Sequence, residues 1–387
     1  MKNDVIIVGG GMVGAAMALK LAKQGCMVTV IEQQQVDFNA VLASEDLDLR
    51  VSAINRFSEQ LFAELGILDN LLTKRHAPYR RLAAFEQVKQ TLLFDAKDID
   101  YDYLGHIIEN KLIQAALWQA FASHNITVKS DLGKLNRIEQ VESRITLHYG
   151  KSELTADLVI AADGGQSITR QLAGIGTTGW QYQQSCMGIL IKLDAPQQDI
   201  TWQQFQATGP VAFLPLQAPY ANLIWYHSGT QLAKLAALNP GQLKQKVIEH
   251  FPTLPGDFEV IEQAVFPLTR QHANQYVQGR LVLVGDSAHT INPLAGQGVN
   301  LGFKDVQQLA TCLANKLDVG DKAALLQYQR YRKTANLVMM SAMDACYLGF
   351  SNQIPPLKWL RNKVLATAER SGPLKNWVLK YAIGEKL

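Results

Sequence analysis

The chain has 387 residues, 48% hydrophobic and 18% charged, with a formal net charge of only +3. That is enough apolar chain for one large or two moderate cores, and too little positive charge to support a nucleic-acid surface. The four cysteines and eight histidines show no CxxC, HxxxH or HExxH spacing, which excludes a disulfide framework, predicts no protein-ligated metal and points to a reducing, cytoplasmic compartment.

The chain opens with DVIIV, a buried-strand pattern over Asp4 to Val8. A signal-peptide reading of the apolar run to Leu19 is rejected, because Asp4 sits in the would-be basic region and four glycines interrupt the run. Gly9-Gly10-Gly11-Met12-Val13-Gly14 follows, then a helical stretch to Gly25, then a second strand, MVTVI, ending at Glu32. Strand, glycine turn, helix, strand and terminal acid together make a βαβ dinucleotide fingerprint. Gly9 permits the tight turn, Gly11 lets the backbone approach a pyrophosphate, and Gly14 lets helix and strand pack closely. Glu32 falls where an acid binds a ribose hydroxyl. NAD and FAD share this adenosine half, so the fingerprint leaves the choice between them open.

Leu49 to Ile54 is expected to begin a helix running to Leu65, with Arg50 at its start facing a phosphate or an isoalloxazine edge. Pro78 to Phe94 alternates as strands do, and Asn110 to Phe121 carries the spacing of an amphipathic helix. The run LTADLVIAA delivers Asp163-Gly164 at its end, with Ser167 and Arg170 beyond. Trp180 to Tyr226 is rich in aromatic and β-branched residues, the composition of a separate inserted sheet able to act as a substrate platform. A third apolar strand, Leu281 to Val284, ends in Gly285-Asp286, placing a second acid where open α/β sheets receive ligands. Pro293, Gly296 and Gly298 then clear side chains from a helix entrance, whose N–H groups and dipole can meet negative charge. His289 is the titratable candidate for catalysis beside it, with a helix-capping or structural histidine as the plainer reading, and Pro293 is its companion at the helix start.

The last stretch, from Leu357, sets Lys358, Arg361, Lys363, Arg370, Lys375, Lys380 and Lys386 among Trp359, Leu360, Trp377 and Val378. Such a basic amphipathic segment suits an anionic membrane surface or a protein partner, and equally a helix pair docked on its own domain.

Three motifs in order carry a family resemblance: Gly9-x-Gly11-x-x-Gly14, Asp163-Gly164-x-x-Ser167-x-x-Arg170, and Gly285-Asp286-x-Ala288-His289 with Pro293 and Gly296 to Asn300. The chain resembles the class A flavoprotein aromatic hydroxylases of the p-hydroxybenzoate hydroxylase fold, and within them the ubiquinone-biosynthesis branch. The resemblance implies an α/β fold: a Rossmann-like FAD-binding domain, an inserted β-sheet substrate domain and a helical C-terminal region. It divides the chain into FAD-binding parts at 1–75, 107–178 and 273–350, the last including a long helix, substrate-domain parts at 76–106 and 179–272, and the basic segment at 351–387. It implies FAD as cofactor, NAD(P)H as transient reductant, and hydroxylation by O2 of a polyprenyl benzoquinol ring. Glu32 would hold the adenosine ribose, Asp286 the ribityl chain, and the backbone from Pro293 to Asn300 the flavin pyrimidine. Asp163 would lie near the pyrophosphate and the nicotinamide approach, with Arg50 and Asn110 contacting FAD; Asn110 is followed by Lys111 where many relatives carry arginine. A polyprenyl substrate implies contact with the inner face of the cytoplasmic membrane, or with a biosynthetic complex, through the C-terminal segment.

Overall fold

The computed structural model describes residues 3–34, 37–86, 91–291, 298–351, 369 and 371–384. Its first sheet has six strands in the order Val277–Gln278, Leu281–Leu283, Leu158–Ala161, Asp4–Val8, Met27–Ile31 and Thr127–Lys129. Asp4–Val8 runs parallel to both Met27–Ile31 and Leu158–Ala161, and Leu158–Ala161 runs parallel to Leu281–Leu283. All four residues of Leu158–Ala161 are buried, as expected for a parallel strand covered on both faces, which reads as an unbroken apolar run. In register, Val8 faces both Ile31 and Ala161, and Ala161 faces Leu283. The carboxyl ends of four adjacent strands therefore surface together, and Gly9, Glu32, Ala162 and Val284 emerge along one edge.

Against this sheet lies the helix Met12–Lys23, buried through Ala15, Ala16, Met17, Ala18, Leu19 and Leu21. Its alanines bring the helix axis close, and each fully buried aliphatic side chain contributes about 1.5–3 kcal/mol. The helix Gly298–Leu313 packs beside it, and the 30-residue helix Lys322–Ser351 packs on that one in turn.

A second sheet of eight strands follows the order His289–Thr290, Phe258–Ala273, Thr177–Leu193, Tyr220–Ser228, Val211–Pro215, Ile200–Gln204, Arg81–Phe85 and Leu92–Asp95. Successive residues on a strand point to opposite faces. Met187, Ile189, Ile191, Phe213, Leu223 and Trp225 pack under the helices Gly229–Ala236 and Pro240–His250. Their alternates Cys186, Gly188, Ala212, Leu214, Ile224 and Tyr226 face a cavity on the other side.

One sequence expectation is overturned. Val51–Asn55 is a strand, paired antiparallel with Gly105–Glu109, and the helix begins only at Arg56. Asn55 ends the strand and caps the helix, its side chain accepting from the Ser58 N–H at 3.1 Å. A β-branched, half-apolar run with a buried partner strand favours pairing over helix.

The helix Pro373–Ile383 buries Leu379 and Ile383 in a cluster with Leu49, Ile99 and Leu104, while Trp377, Val378 and Tyr381 remain exposed. Residues 352–368, which carry much of the basic segment, lie outside the described residues. Among the described residues no helix is long and apolar enough to cross a membrane.

Candidate active site

The glycine turn sits at the shared strand edge, and its glycines do different work. Gly9 has φ +102°, and a Cβ there would lie 2.4 Å from the Ala162 carbonyl oxygen. A Cβ on Gly14 would lie 2.0 Å from Gly9 O, so these two are required by the protein's own packing. At Gly11 a Cβ would meet nothing within 4 Å. Its hydrogen keeps open a space that the fold does not fill, and Gly11, Met12 and Val13 line a cavity of about 580 Å³. The helix start there has no side-chain cap and no acid in its first turn, which leaves its N–H groups and positive dipole end for an anion.

Glu32 stands beside the turn. Its Oε2 accepts from Gly10 N–H at 2.7 Å and its Oε1 from Gln34 N–H at 3.0 Å, so each carboxylate oxygen retains capacity for a hydroxyl donor. The opposite side of the turn is fixed by residues the sequence did not single out: Trp118 Nε1 and Gln114 Nε2 both donate to Gly10 O, at 2.7 and 2.9 Å. Their one signal in the sequence was the polar and aromatic edge of an otherwise apolar helix.

Arg50 and Asn110 both line the cavity. The Arg50 guanidinium lies 4.9 Å from the Phe266 ring centroid, and Asn110 N–H donates to Arg50 O at 2.9 Å. Asn110 Oδ1 accepts from Ser52 Oγ at 2.7 Å. Lys111 points to solvent, 3.9 Å from Asp48.

Asp163, expected near the cofactor pyrophosphate, stands just behind the cavity lining rather than in it. Its carboxylate accepts from Ser167 Oγ at 2.5 Å and from Thr169 N–H at 3.0 Å, and it is Gly164 that lines the cavity. Arg170, buried behind this turn, donates to Gly165 O at 2.9 Å and to Ser287 O at 2.8 Å. Burial draws its pKa down from the usual arginine value, with Asp163 opposing.

Asp286 lines the cavity and is open to it. The protein packed around it raises its carboxyl above the ordinary value; His289 opposes this and the buried Asp305 adds to it. His289, expected as the catalytic candidate, is buried away from the cavity lining, with Nε2 2.5 Å from Asp305 Oδ2. Asp305 also accepts from Arg332 Nε at 2.6 Å, Gly285 N–H at 3.0 Å and Asn336 Nδ2 at 3.2 Å. Burial pushes the Asp305 carboxyl up, but His289 and Arg332 prevail and hold it well below the carboxylate range. His289 thus belongs to a buried charge network that fixes the Gly285-Asp286 turn.

Asn300 is likewise turned inward. Its Nδ2 donates to Ala53 O at 2.7 Å and its Oδ1 accepts from Ser58 Oγ at 2.7 Å, pinning helix Gly298–Leu313 to the strand below Arg50. Gly298, Val299 and Gly302 are the parts of that helix that line the cavity. Pro293 and Gly296 lie outside the described residues.

The far wall of the cavity is the inserted sheet, presenting Leu214, Ile224, Tyr226, Cys186 and Phe266. Burial pushes the Cys186 thiol up to about 12 and raises the Tyr226 phenol, so neither carries charge at neutral pH. This wall offers apolar surface rather than a nucleophile or base.

A model of the family described as FAD binding domain matches residues 2–342. The chain belongs to this FAD-binding family. It is 45% identical to 3-demethoxyubiquinol 3-hydroxylase of Escherichia coli, over 99% of this chain and 98% of that one. It is 30% identical to the mitochondrial ubiquinone biosynthesis monooxygenase COQ6 of Homo sapiens, covering 98% and 92% of the two. Among solved structures it is similar to p-nitrophenol 4-monooxygenase PnpA of Pseudomonas putida, with TM-score 0.80, 19% identity, and 100% and 99% coverage. The α/β fold of the class A flavin monooxygenases is therefore shared, and the chain is an FAD-dependent monooxygenase. The residues present fit that cofactor: the space kept at Gly11, the uncapped helix start, the Glu32 carboxylate beside the turn and Asp286 in the cavity lining all lie along one line of strand ends.

Proposed function

We propose that this enzyme hydroxylates the ring of a polyprenylated ubiquinone precursor, 2-polyprenyl-3-methyl-6-methoxy-1,4-benzoquinol, using NAD(P)H and O2. The observation that carries this reading is the cavity itself, with nucleotide-binding features along one wall and an apolar sheet along the other. The identity to the Escherichia coli hydroxylase supports the choice of ring.

On this reading Gly11 to Val13 hold the pyrophosphate, Glu32 the adenosine ribose and Asp286 the ribityl chain, while Arg50 and Asn110 lie against the isoalloxazine. Bound FAD would supply the redox chemistry that activates O2, with NAD(P)H as the reductant. Everything else falls to the protein. The helix start at Gly298 offers N–H groups and a dipole to negative charge. Leu214, Ile224, Tyr226 and Phe266 hold the ring and keep water from the reacting oxygen. Ser167, Arg170, Asp305 and His289 hold the two acid-bearing turns in place from behind.

A polyprenyl chain gains ~0.8 kcal/mol per CH2 by staying in lipid, so enzyme and substrate must meet at the bilayer surface or through a partner. The exposed Trp377, Val378 and Tyr381 of the C-terminal helix, beside Lys380, suit the membrane surface. Unchanged vesicle co-sedimentation of a Trp377→Ser/Tyr381→Ser variant would remove that contact from the proposal.

The test of function is the quinone profile, by mass spectrometry, of a strain lacking the protein, before and after restoring it. Accumulation of the 6-methoxy-3-methyl precursor, reversed on restoration, is expected. A normal profile would send the substrate search to other phenols.

A further inference from the structure

Two amide side chains stand in the apolar wall. Asn222 and Gln203 line the cavity beside Ala212, Leu214, Ile224 and Gly188. Asn222 is fully buried, and its Nδ2 donates to Leu49 O at 2.7 Å. That bond orients the amide, because the reverse placement would set Oδ1 against a carbonyl oxygen. Oδ1 of Asn222 then has no hydrogen-bond partner among the described residues, and the same is true of Gln203 Nε2. Buried polar atoms are ordinarily satisfied, and leaving one unpaired is costly. No purely apolar ligand would satisfy either atom.

Strand register locates them. Gln203 pairs with Ala212, and Ala212 pairs with Ile224. Asn222 lies one row away on the same face as Ile224, between Leu214 and Leu190 on the neighbouring strands. The two amides are separated by two strand spacings of ~4.8 Å and one two-residue step of ~6.8 Å, with small Ala212 between them. Leu49, which anchors Asn222, directly precedes Arg50, so the Asn222 end is the one nearer the cofactor wall.

We propose that Asn222 reads the oxidation state of the ring. Its free Oδ1 can only accept, so it requires an O–H donor on the ligand, while the Gln203 amide, which no bond among the described residues orients, can turn either its Nε2 or its Oε1 to a second ring oxygen. A phenol or quinol meets this demand. The corresponding quinone presents a carbonyl oxygen to Oδ1, acceptor against acceptor, and leaves both unpaired. Asn222 is thus a specificity residue that admits the reduced ring and rejects the oxidised one. This rests on the ring-hydroxylase reading above and deepens it by naming the group that selects the substrate's reduced form.

The test uses FAD-loaded enzyme under nitrogen and three probes: 2-methoxy-5-methyl-1,4-benzoquinol, the matching quinone, and the bis-O-methyl ether of the quinol. Dissociation constants are read from the change in flavin absorbance. The quinol is expected to bind about tenfold or more tighter than the other two. In Asn222→Leu, with FAD content checked, the three should converge to within about twofold. Equal binding of the three probes by the unaltered enzyme would overturn the proposal without any variant, as would full discrimination in Asn222→Leu. Failure of all three to bind would overturn the quinol reading itself, and this proposal with it.

Discussion

Arg170 donates to the carbonyl oxygen of Ser287 at 2.8 Å while its other terminal nitrogen donates to Gly165 O at 2.9 Å. One buried guanidinium therefore ties the turn after Asp163 to the turn after Asp286, and two motifs far apart in the chain are held as one edge. Ser287 Oγ closes the same joint by donating to Ala161 O at 2.6 Å. Removing the guanidinium leaves two inward carbonyls without their donor, a loss of about 1–3 kcal/mol for each buried group so stranded. Arg170→Met is expected to lower unfolding free energy by about 2 kcal/mol and to weaken FAD binding. Urea denaturation and a flavin fluorescence titration check this; wild-type values in both would show that the turns hold without the link.

Gly11 and Gly14 separate cofactor binding from folding. Gly11→Ala puts a methyl group into open space, at an ordinary φ of −62°, so stability of the protein without FAD should stay within about 0.5 kcal/mol of wild type. FAD affinity should fall at least about tenfold, because the methyl stands where the pyrophosphate would approach. Gly14→Ala should instead destabilise the protein by about 2 kcal/mol or more, its Cβ lying 2.0 Å from Gly9 O. Thermal melts with and without FAD distinguish the two. Equal loss of stability in both variants would refute the assignment.

His289 is expected to act through position rather than by proton transfer. His289→Ala removes one partner of the buried Asp305, leaving Arg332, Asn336 and Gly285 N–H, and should cost about 2–4 kcal/mol of stability. Turnover per FAD-loaded molecule should remain within about fivefold, with the pH profile of kcat unchanged in shape. Loss of one limb of that profile would restore His289 to a catalytic role.

His272 makes the fold sensitive to acid. Burial lowers its pKa from 6.5 to about 4, and the neighbouring His289, Lys333 and Arg270 add to the effect while Asp305 opposes it. Its Nε2 lies 2.8 Å from the Tyr276 hydroxyl. A histidine kept neutral in the fold takes its proton more readily once unfolded, so the unfolded chain binds more protons between the two values. The stability this group contributes is complete above pH 6.5 and is lost as pH falls toward 4, on the order of 3 kcal/mol in full. Urea unfolding at pH 7.5 and 5 should show a drop in wild type that His272→Gln reduces. An identical drop in the variant would place the acid sensitivity elsewhere.

How much of this was legible depends on what kind of statement is asked of the residues. Apolar runs that end in Gly-Gly, Asp-Gly and Gly-Asp mark strand ends whatever lies beside them, because burial on both faces demands such runs and a turn demands glycine. The same local logic misled at Leu49 to Ile54. There the choice between helix and strand belonged to the Gly105–Glu109 partner, and Asn55 was the missed sign of where the helix begins.

The sequence by itself determined one edge of the sheet: Gly9, Glu32, Asp163 and Asp286 stand at or just past strand ends, and Gly11 and Gly14 open the helix that follows, because local chemistry puts them there. Tertiary structure alone decided which of those side chains turn toward the cavity. Asp163, His289 and Asn300 turn inward because their partners, Ser167, Asp305 and Ser58, satisfy them in the interior, and a polar group loses less by pairing there than by standing unpaired. The substrate wall was also beyond local reading. Asn222 and Gln203 become a pair only when strand register brings their faces together over one cavity.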